Sequence, residues 1–429
     1  MQCDEQCLKR LLILDTIRIP KHKRRDVPHL RGATENFEGK NTFMSTSRIF
    51  GQAASSMLAL AAFAGPAAAK TAPQFQALYT FTGGNDGGSP AGNLVADKAG
   101  NLYGATSEGG PNGAGTVFKL ALDGTESVIY HFTGAADGDL PMSSLLTDST
   151  GNFYGVTEIG GTNGIGNVFK ITPDGVETTI YSFGTNASDG GNPICQLIWG
   201  PHHTLLGTTV NGGTGHDGTV FQVTLDGKET ILHNFTGTDG AFPHAGLVMD
   251  PAGNSYGTTF NAGAGSSGTV YEINAKGKFS VLYTLGNASG FFPYSSLTLD
   301  KDGNLYGTTT AGGAHNSNGT VFKLTPKGKL SVLYSFTGGS DGSSPEAPLF
   351  LDKKGNLLST TASGGTGDNG TVFSLAPNGK LKTLYSFTGT TGSHSQTGFI
   401  QDKAVGGGWL YGSTYAGGSG NGVVFRIKK

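Results

Sequence analysis

One aromatic position returns along this chain at steps of 50 to 52 residues: Phe118, Phe169, Phe221, Tyr271, Phe322, Phe373 and Phe425. Three other segments return in phase with it. A YGTT-like segment starts at Tyr103, Tyr154, Leu206, Tyr256, Tyr306, Leu358 and Tyr411, and an LYSF-like segment at Leu78, Ile129, Ile180, Leu232, Leu282, Leu333 and Leu384. A drifting Leu-x-x-Asp segment starts at Leu94, Leu145, Leu197, Leu247, Leu297, Leu349 and Phe399. A unit of this length cannot bury its own apolar faces and must stack on its copies, so the period limits the fold before any local reading does.

Each repeat reads as four short strands: a (Leu-x-x-Asp), b (Asn-Leu-Tyr-Gly-Thr-Thr), c (Gly-Thr-Val-Phe-Lys-Leu) and d (Val-Leu-Tyr-Ser-Phe). Segments such as DKAGN and DKDGN join a to b, and Asp123-Gly124, Asp174-Gly175, Asp226-Gly227 or Asn378-Gly379 join c to d. Asp-Gly and Asn-Gly between apolar runs are strong hairpin signals. Composition agrees, with 72 glycines, 25 Phe, 14 Tyr and no Gly-X-Y period, as expected for short strands joined by tight turns. No helical period follows residue 70. Four antiparallel strands per repeat predict an all-β fold, a β-propeller whose blades are buried on both faces. Burial on both faces accounts for the nearly continuous apolar run in strand c. The glycine after Tyr in strand b predicts a bulge or a close backbone approach between neighbouring sheets.

The phase of the repeat sets the blade number. Strand d stands alone at Ala77 to Phe81, and strands a, b and c stand alone at Phe399 to Ile427. Six blades are contiguous, and the seventh is expected to join both ends of the repeat region, which ties the ring shut.

Residues 1–43 resemble nothing that follows. From Met44 the chain reads MSTSRIFGQAASSMLALAAFAGPAAAKTAPQF, with Arg48 as a basic start, Met57 to Gly65 as a short apolar core and Ala67-Ala68-Ala69 as a small-residue cleavage pattern. That pattern predicts translation from Met44, with residues 1–43 a gene-model extension, a signal peptide over 44–69 and a mature propeller over 70–429. Localisation is then secreted or periplasmic. Cys3 and Cys7 fall in the extension, leaving Cys195 alone in the mature chain, without a disulfide framework or a cysteine metal site. Its repeat position is otherwise held by Gly92, Ser143, Ala245, Ser295, Ala347 and Thr397, so it reads as structural filler.

The unit LYGTTxxGG…GTVFKLTPxGxxxxLYSFTGxxDGxxP resembles the tandem repeat of the choice-of-anchor GloVer-containing proteins of bacteria. The resemblance covers residues 77–427 and rests on seven recurrences. It implies an exported protein of the bacterial envelope, and brings no established catalytic residues. Members often carry C-terminal sorting signals; this chain ends Val-Phe-Arg-Ile-Lys-Lys, which points to free secretion or the periplasm.

In such a propeller the d-to-a and b-to-c loops share one end of the ring, the top, where scaffold-positioned loops concentrate function. The DGxxP stretch is a d-to-a loop, with carboxylates at Asp86, Asp137, Asp189, Asp239 and Asp341. A ring of cation ligands is one reading. Turn chemistry, in which Asp accepts a local backbone hydrogen bond and Gly takes positive φ, is favoured, because separate blades hold the carboxylates apart. Just after the proline the repeat varies most: Ala91, Met142, Ile194, His244, Tyr294, Glu346 and Gln396. Free drift at a solvent-facing position would produce such variety. So would a ligand site on the top rim, with His244, Tyr294, Glu346 and Gln396 side by side and His216 joining from a b-to-c loop. His202 and His203 belong to the opposite end, and His131 and His233 to blade packing; Glu108 and Glu158 look like solvated surface.

No GxSxG, HExxH, Walker loop or strand-GxGxxG-helix pattern occurs, and no catalytic, metal or cofactor residues are assigned. Net charge is −2 without a Lys/Arg cluster in the repeats, which excludes a nucleic-acid footprint; no 18-residue apolar run marks a membrane span. The leading expectation is a monomeric binding module for a polysaccharide or an envelope protein. A polysaccharide lyase is the alternative, with His244 or Tyr294 as base and acid and Glu346 or His216 orienting them. A purely structural surface module is the third.

Overall fold

The computed structural model describes residues 74–428 apart from 264–266, 316 and 402–407. The expected extension and signal peptide lie outside the described residues. The described chain forms seven four-stranded antiparallel sheets arranged as a seven-bladed β-propeller. The second blade is typical: Leu146–Thr147, Phe153–Thr157, Asn167–Ile171 and Glu177–Ser182 lie in that order. The seventh sheet sets Gln74–Thr80 beside Val423–Lys428, with Phe75 opposite Ile427 and Ala77 opposite Phe425. The closing strand thus begins three residues before the sequence boundary at Ala77, and it removes the edge an open ring would leave.

The apolar core lies between blades. Val117 and Phe132 of the first blade pack against Leu145, Phe153, Phe169 and Ile171 of the second, and corresponding clusters fill the other seams. Strand c carries this packing because both of its faces are covered: Thr116, Val117, Phe118 and Leu120 are all buried. Phe132 meets Phe169 edge to face with centroids 5.2 Å apart. Pairs of this kind contribute about 0.5–1.5 kcal/mol beyond their buried area.

The strand-b glycine meets the expectation only in part. Gly104 pairs with Phe118, whose ring folds back so that a Cβ on Gly104 would lie 2.7 Å from Cζ. The close approach is an aromatic ring of the same blade; in this first blade a register shift does lie opposite Gly104, at Ala91/Val95 of strand a, and a second lies between strands c and d at Val117/Phe118. On the bottom face, Asp97 Oδ1 accepts from the Ala99 and Asn101 amides, and Oδ2 from Asn101 Nδ2 and the Tyr103 hydroxyl. Burial favours protonation of Asp97, yet these hydrogen bonds outweigh it and hold the carboxyl below its ordinary range.

Candidate functional site at the channel mouth

The d-to-a loops enter the channel through a strained residue. Ser89, Leu140, Asn192, Phe242, Phe292, Ser344 and His394 all have φ between 50° and 59°, a left-handed conformation unusual outside glycine. Six of them are fixed by hydrogen bonds on both sides, and His394 by its carbonyl, which accepts from the Tyr415 amide. The Phe292 amide donates to the Ser267 carbonyl of the preceding blade, and its own carbonyl accepts from the Thr310 amide. Strain held by surrounding structure is characteristic of positioned loops. Its effect here is to turn the following residues toward the axis.

The loop carboxylates are held by their own turns. Asp137 Oδ2 accepts from the Thr133 amide at 2.7 Å and the Tyr130 hydroxyl at 3.0 Å. Asp86 and Asp341 make the same contacts, in keeping with the turn reading. Among the described residues no three His, Cys, Asp or Glu side chains gather as a metal-binding group.

Beyond the proline, the variable residues meet around the axis. Ala91, Met142, Ile194, His244, Tyr294, Glu346 and Gln396 line one cavity of about 80 Å³. It is narrow because the innermost segments touch: a Cβ on Gly92 would lie 2.2 Å from the Ser144 amide, and one on Gly246 2.4 Å from the Gln196 carbonyl. Such a volume holds a few waters or one inserted substituent, well short of the 300 Å³ or more of an ordinary small-molecule pocket.

The lining is divided by chemistry. In the fourth and fifth blades His244 lies 4.6 Å from the Phe260 ring and 5.2 Å from the Tyr294 ring, and Phe260 stacks on Phe292 at 5.0 Å. In the sixth and seventh blades Gln396 Nε2 donates to Glu346 Oε2 at 2.7 Å. Burial of the imidazole among these rings pushes the His244 pKa down to about 4, so it is neutral at pH 7. Its Nδ1 is buried without a hydrogen-bond partner. A base this weak is poorly matched to proton abstraction at neutral pH, and no Lys or Arg lines the cavity to steady a uronate. The arrangement is equipped to hold a ligand: aromatic faces on one side, an amide and a carboxyl group on the other.

His216 does not join this group. It is exposed on the b-to-c loop with φ 60°, and it does not line the cavity. That loop joins the two middle strands and packs outward against the end of strand d, where a Cβ on Gly215 would lie 2.3 Å from the Phe235 carbonyl. His202 and His203 form a short turn at the opposite end, between Ile198–Trp199 and Leu205–Thr209. His233 packs at a blade seam, as expected, stacked on Phe279 at 3.6 Å. Cys195 is buried, and its Sγ accepts the Thr208 amide at 3.1 Å. It does what Ser143 Oγ does for Val156 in the second blade, so the position is more specific than filler.

Two sets of residues at the site escaped the sequence reading. Phe260 and Phe292, which pack behind the His244 imidazole, sit at repeat positions that are not aromatic in most blades, and only the packing of adjacent blades lays one on the other. Asn93, Ser144, Gln196 and Ser296 form a second tier, two residues beyond the rim. Alternation along strand a was the signal that would have found them.

Comparison with known proteins places the fold and the family. The chain is similar to the extracellular domain assigned to a one-component system of B. thetaiotaomicron, at 12% identity and a TM-score of 0.52, covering 82% of this chain and 39% of that one. It is similar to the corresponding domain of a hybrid two-component system of the same organism, at 14% identity and a TM-score of 0.52, covering 83% and 41%. A puromycin-hydrolyzing peptidase of Mycobacterium tuberculosis matches at 13% identity and a TM-score of 0.53, covering 80% and 52%. The chain therefore spans about two fifths of the length of the two sensor structures, and the likeness is one of fold. No curated protein matches it in sequence. The Gloeobacter/Verrucomicrobia repeat matches residues 67–255 and 196–425, almost the whole repeat region, and the chain belongs to that family.

Proposed function

We propose that the protein is an exported propeller that binds a glycan at its channel mouth. One observation carries the reading: His244 and Tyr294 line the same cavity as the Gln396–Glu346 pair, with the stacked Phe260 and Phe292 rings packed behind the imidazole. Aromatic faces suit the apolar faces of a sugar ring, while amide and carboxyl groups suit its hydroxyls. The cavity is too small for a whole sugar, so the ligand rests on the mouth and inserts one substituent. Neutral sugars are favoured, because no cation lines the cavity. Export is supported by the Met57 to Gly65 apolar segment and the Ala67-Ala68-Ala69 pattern. Among the described residues no helix is long and apolar enough to cross a membrane.

The test is a glycan array and a polysaccharide panel, with Tyr294→Ala and Phe260→Ala beside the wild type. Binding of a neutral glycan, weakened about tenfold or more by either substitution, supports the proposal. Appearance of unsaturated product, abolished by His244→Ala, would replace it with a lyase. Silence on both panels sinks it.

A further inference from the structure

The seams between outer strands differ around the ring. At a typical seam, a tyrosine near the end of strand d reaches the Asp of the following loop, and the start of strand d in the next blade packs beside them. The tyrosine contacts run from Tyr79 to Asp86, Tyr130 to Asp137, Tyr181 to Asp189 and Tyr334 to Asp341 at 2.8–3.0 Å. At four seams the next strand brings an apolar side chain: Phe75 stacks on Tyr385, Phe279 stacks on His233, and Leu330 and Leu381 pack with Tyr283 and Tyr334. At the other three it brings a second acid: Glu126 beside Asp86, Glu177 beside Asp137 and Glu229 beside Asp189. These three seams are consecutive, and the first includes the closing strand Gln74–Thr80.

Apolar residues at four seams show that packing does not require an acid at this place. The carboxyl groups are in close company. The Tyr181 hydroxyl lies 2.8 Å from Asp189 Oδ2 and 3.2 Å from Glu229 Oε2, while Asp189 Oδ1, Glu229 Oε1 and Glu126 Oε1 are buried without a partner. Asp189 is 4% exposed. Among the described residues no Lys, Arg or His forms an ion pair with any of these carboxyl groups. The titratable groups facing each Glu are the Asp and Tyr named for its seam; the Asp opposes its ionisation, while the Tyr181 hydroxyl on Glu229 and the Thr179 hydroxyl on Glu177 favour it but are outweighed by burial. Two contacting carboxyl groups without a cation cannot both ionise cheaply.

We propose that these three acidic seams are a proton-controlled latch on the closure side of the ring. In each, the Glu keeps its proton beside the Asp of the neighbouring loop, hydrogen-bonded to it at the Glu229–Asp189 seam, and losing that proton sets two carboxylates against each other and loosens the seam. Burial first, then the neighbouring Asp, pushes Glu126 up to about 7 and Glu229 up to about 8, and Glu177 rises for the same reasons. The sign follows from proton uptake: the unfolded chain loses the Glu126 and Glu229 protons near pH 4.5, the folded chain only near 7 to 8, and Glu177 shifts in the same direction. Stability therefore falls as pH climbs from about 4.5 to about 8 and levels off above that.

The experiment is a thermal melt of the full chain from pH 5 to 9.5, with hydrogen exchange read by mass spectrometry at pH 6 and 9. Glu126→Gln, Glu177→Gln and Glu229→Gln are combined, and Glu229→Leu is made alone because leucine already serves at two seams. The wild type is expected to lose roughly 5 °C or more of Tm between pH 5 and 8, with excess exchange at pH 9 confined to the three acidic seams. The triple variant is expected to lose most of that slope, and Glu229→Leu to be more stable than wild type at pH 8.5. A slope unchanged in the triple variant overturns the latch, as does equal loosening at the Leu330 and Leu381 seams. Calcium that raises Tm at pH 8.5 in the wild type, and not in Glu229→Leu, overturns it in favour of a cation site.

Discussion

Pro193 closes over Gly166. A Cβ on Gly166 would lie 2.7 Å from Pro193 Cδ and 2.3 Å from the Thr157 carbonyl, and Gly166 itself has φ of 96°. The proline of the other d-to-a loops that carry one lies in this way against the first glycine of the preceding blade's strand c: Pro141 on Gly115, Pro243 on Gly218, Pro293 on Gly268, Pro345 on Gly319 and Pro90 on Gly422. Two motifs that look independent in the sequence are halves of one inter-blade contact. Gly166→Ala combines a forbidden backbone with a backbone collision, and is expected to destabilise by about 3 kcal/mol or more. Urea unfolding checks it, and a loss under 1 kcal/mol would contradict the account.

Gly370 has no proline above it, because Ser395 stands where the other loops have one. Its own constraint persists, since a Cβ would lie 2.1 Å from the Thr361 carbonyl at φ 90°. Ser395 Oγ instead donates to the Ser413 carbonyl at 2.8 Å. Ser395→Ala removes a buried hydrogen bond and is expected to cost about 1 kcal/mol. No measurable change in the urea midpoint would contradict the role assigned to this hydroxyl.

Cys195 is held as an acceptor for the Thr208 amide, and burial pushes its thiol pKa up. It is expected to resist iodoacetamide in the native protein and to react at once in denaturant. Cys195→Ser keeps an acceptor of the kind Ser143 supplies and should cost less than Cys195→Ala, which is expected to lose about 1–3 kcal/mol by orphaning the amide. Equal losses for the two variants would dismiss the hydrogen bond.

Ser344 has φ of 51° and precedes Pro345. Ser344→Gly relieves that strain, offset by the freedom glycine gains in the unfolded chain. A net gain of up to about 1 kcal/mol is expected. A clear loss in the thermal melt would show that the serine side chain itself holds the loop.

His244 is neutral across the physiological range because burial lowers its pKa to about 4. Glycan affinity should then be flat between pH 6 and 8 as far as this residue is concerned, and decline only as pH falls through about 4, when protonation places a charge among the rings. Titration calorimetry of the bound glycan across pH 4 to 8 checks this. An affinity change centred near pH 6.5 would mean that the imidazole is hydrated and the aromatic sector open.

The sequence by itself determined the blade count, the strand order, the turn residues and the closure by the first strand, because each is a local pattern repeated in phase. It also singled out the one loop position that varies around the channel, so His244, Tyr294, Glu346 and Gln396 were legible as neighbours. Tertiary structure decided what lies across each seam. Phe260 meets Phe292, Glu229 meets Asp189, and Pro193 meets Gly166 only because adjacent blades turn their faces together. It also separated His216 from His244, since two loops at the same end of a ring lie at different distances from its axis. Contacts between residues about 30 to 40 positions apart leave no trace in a period of 51. They depend on the angle between sheets, which packing sets and no single repeat encodes.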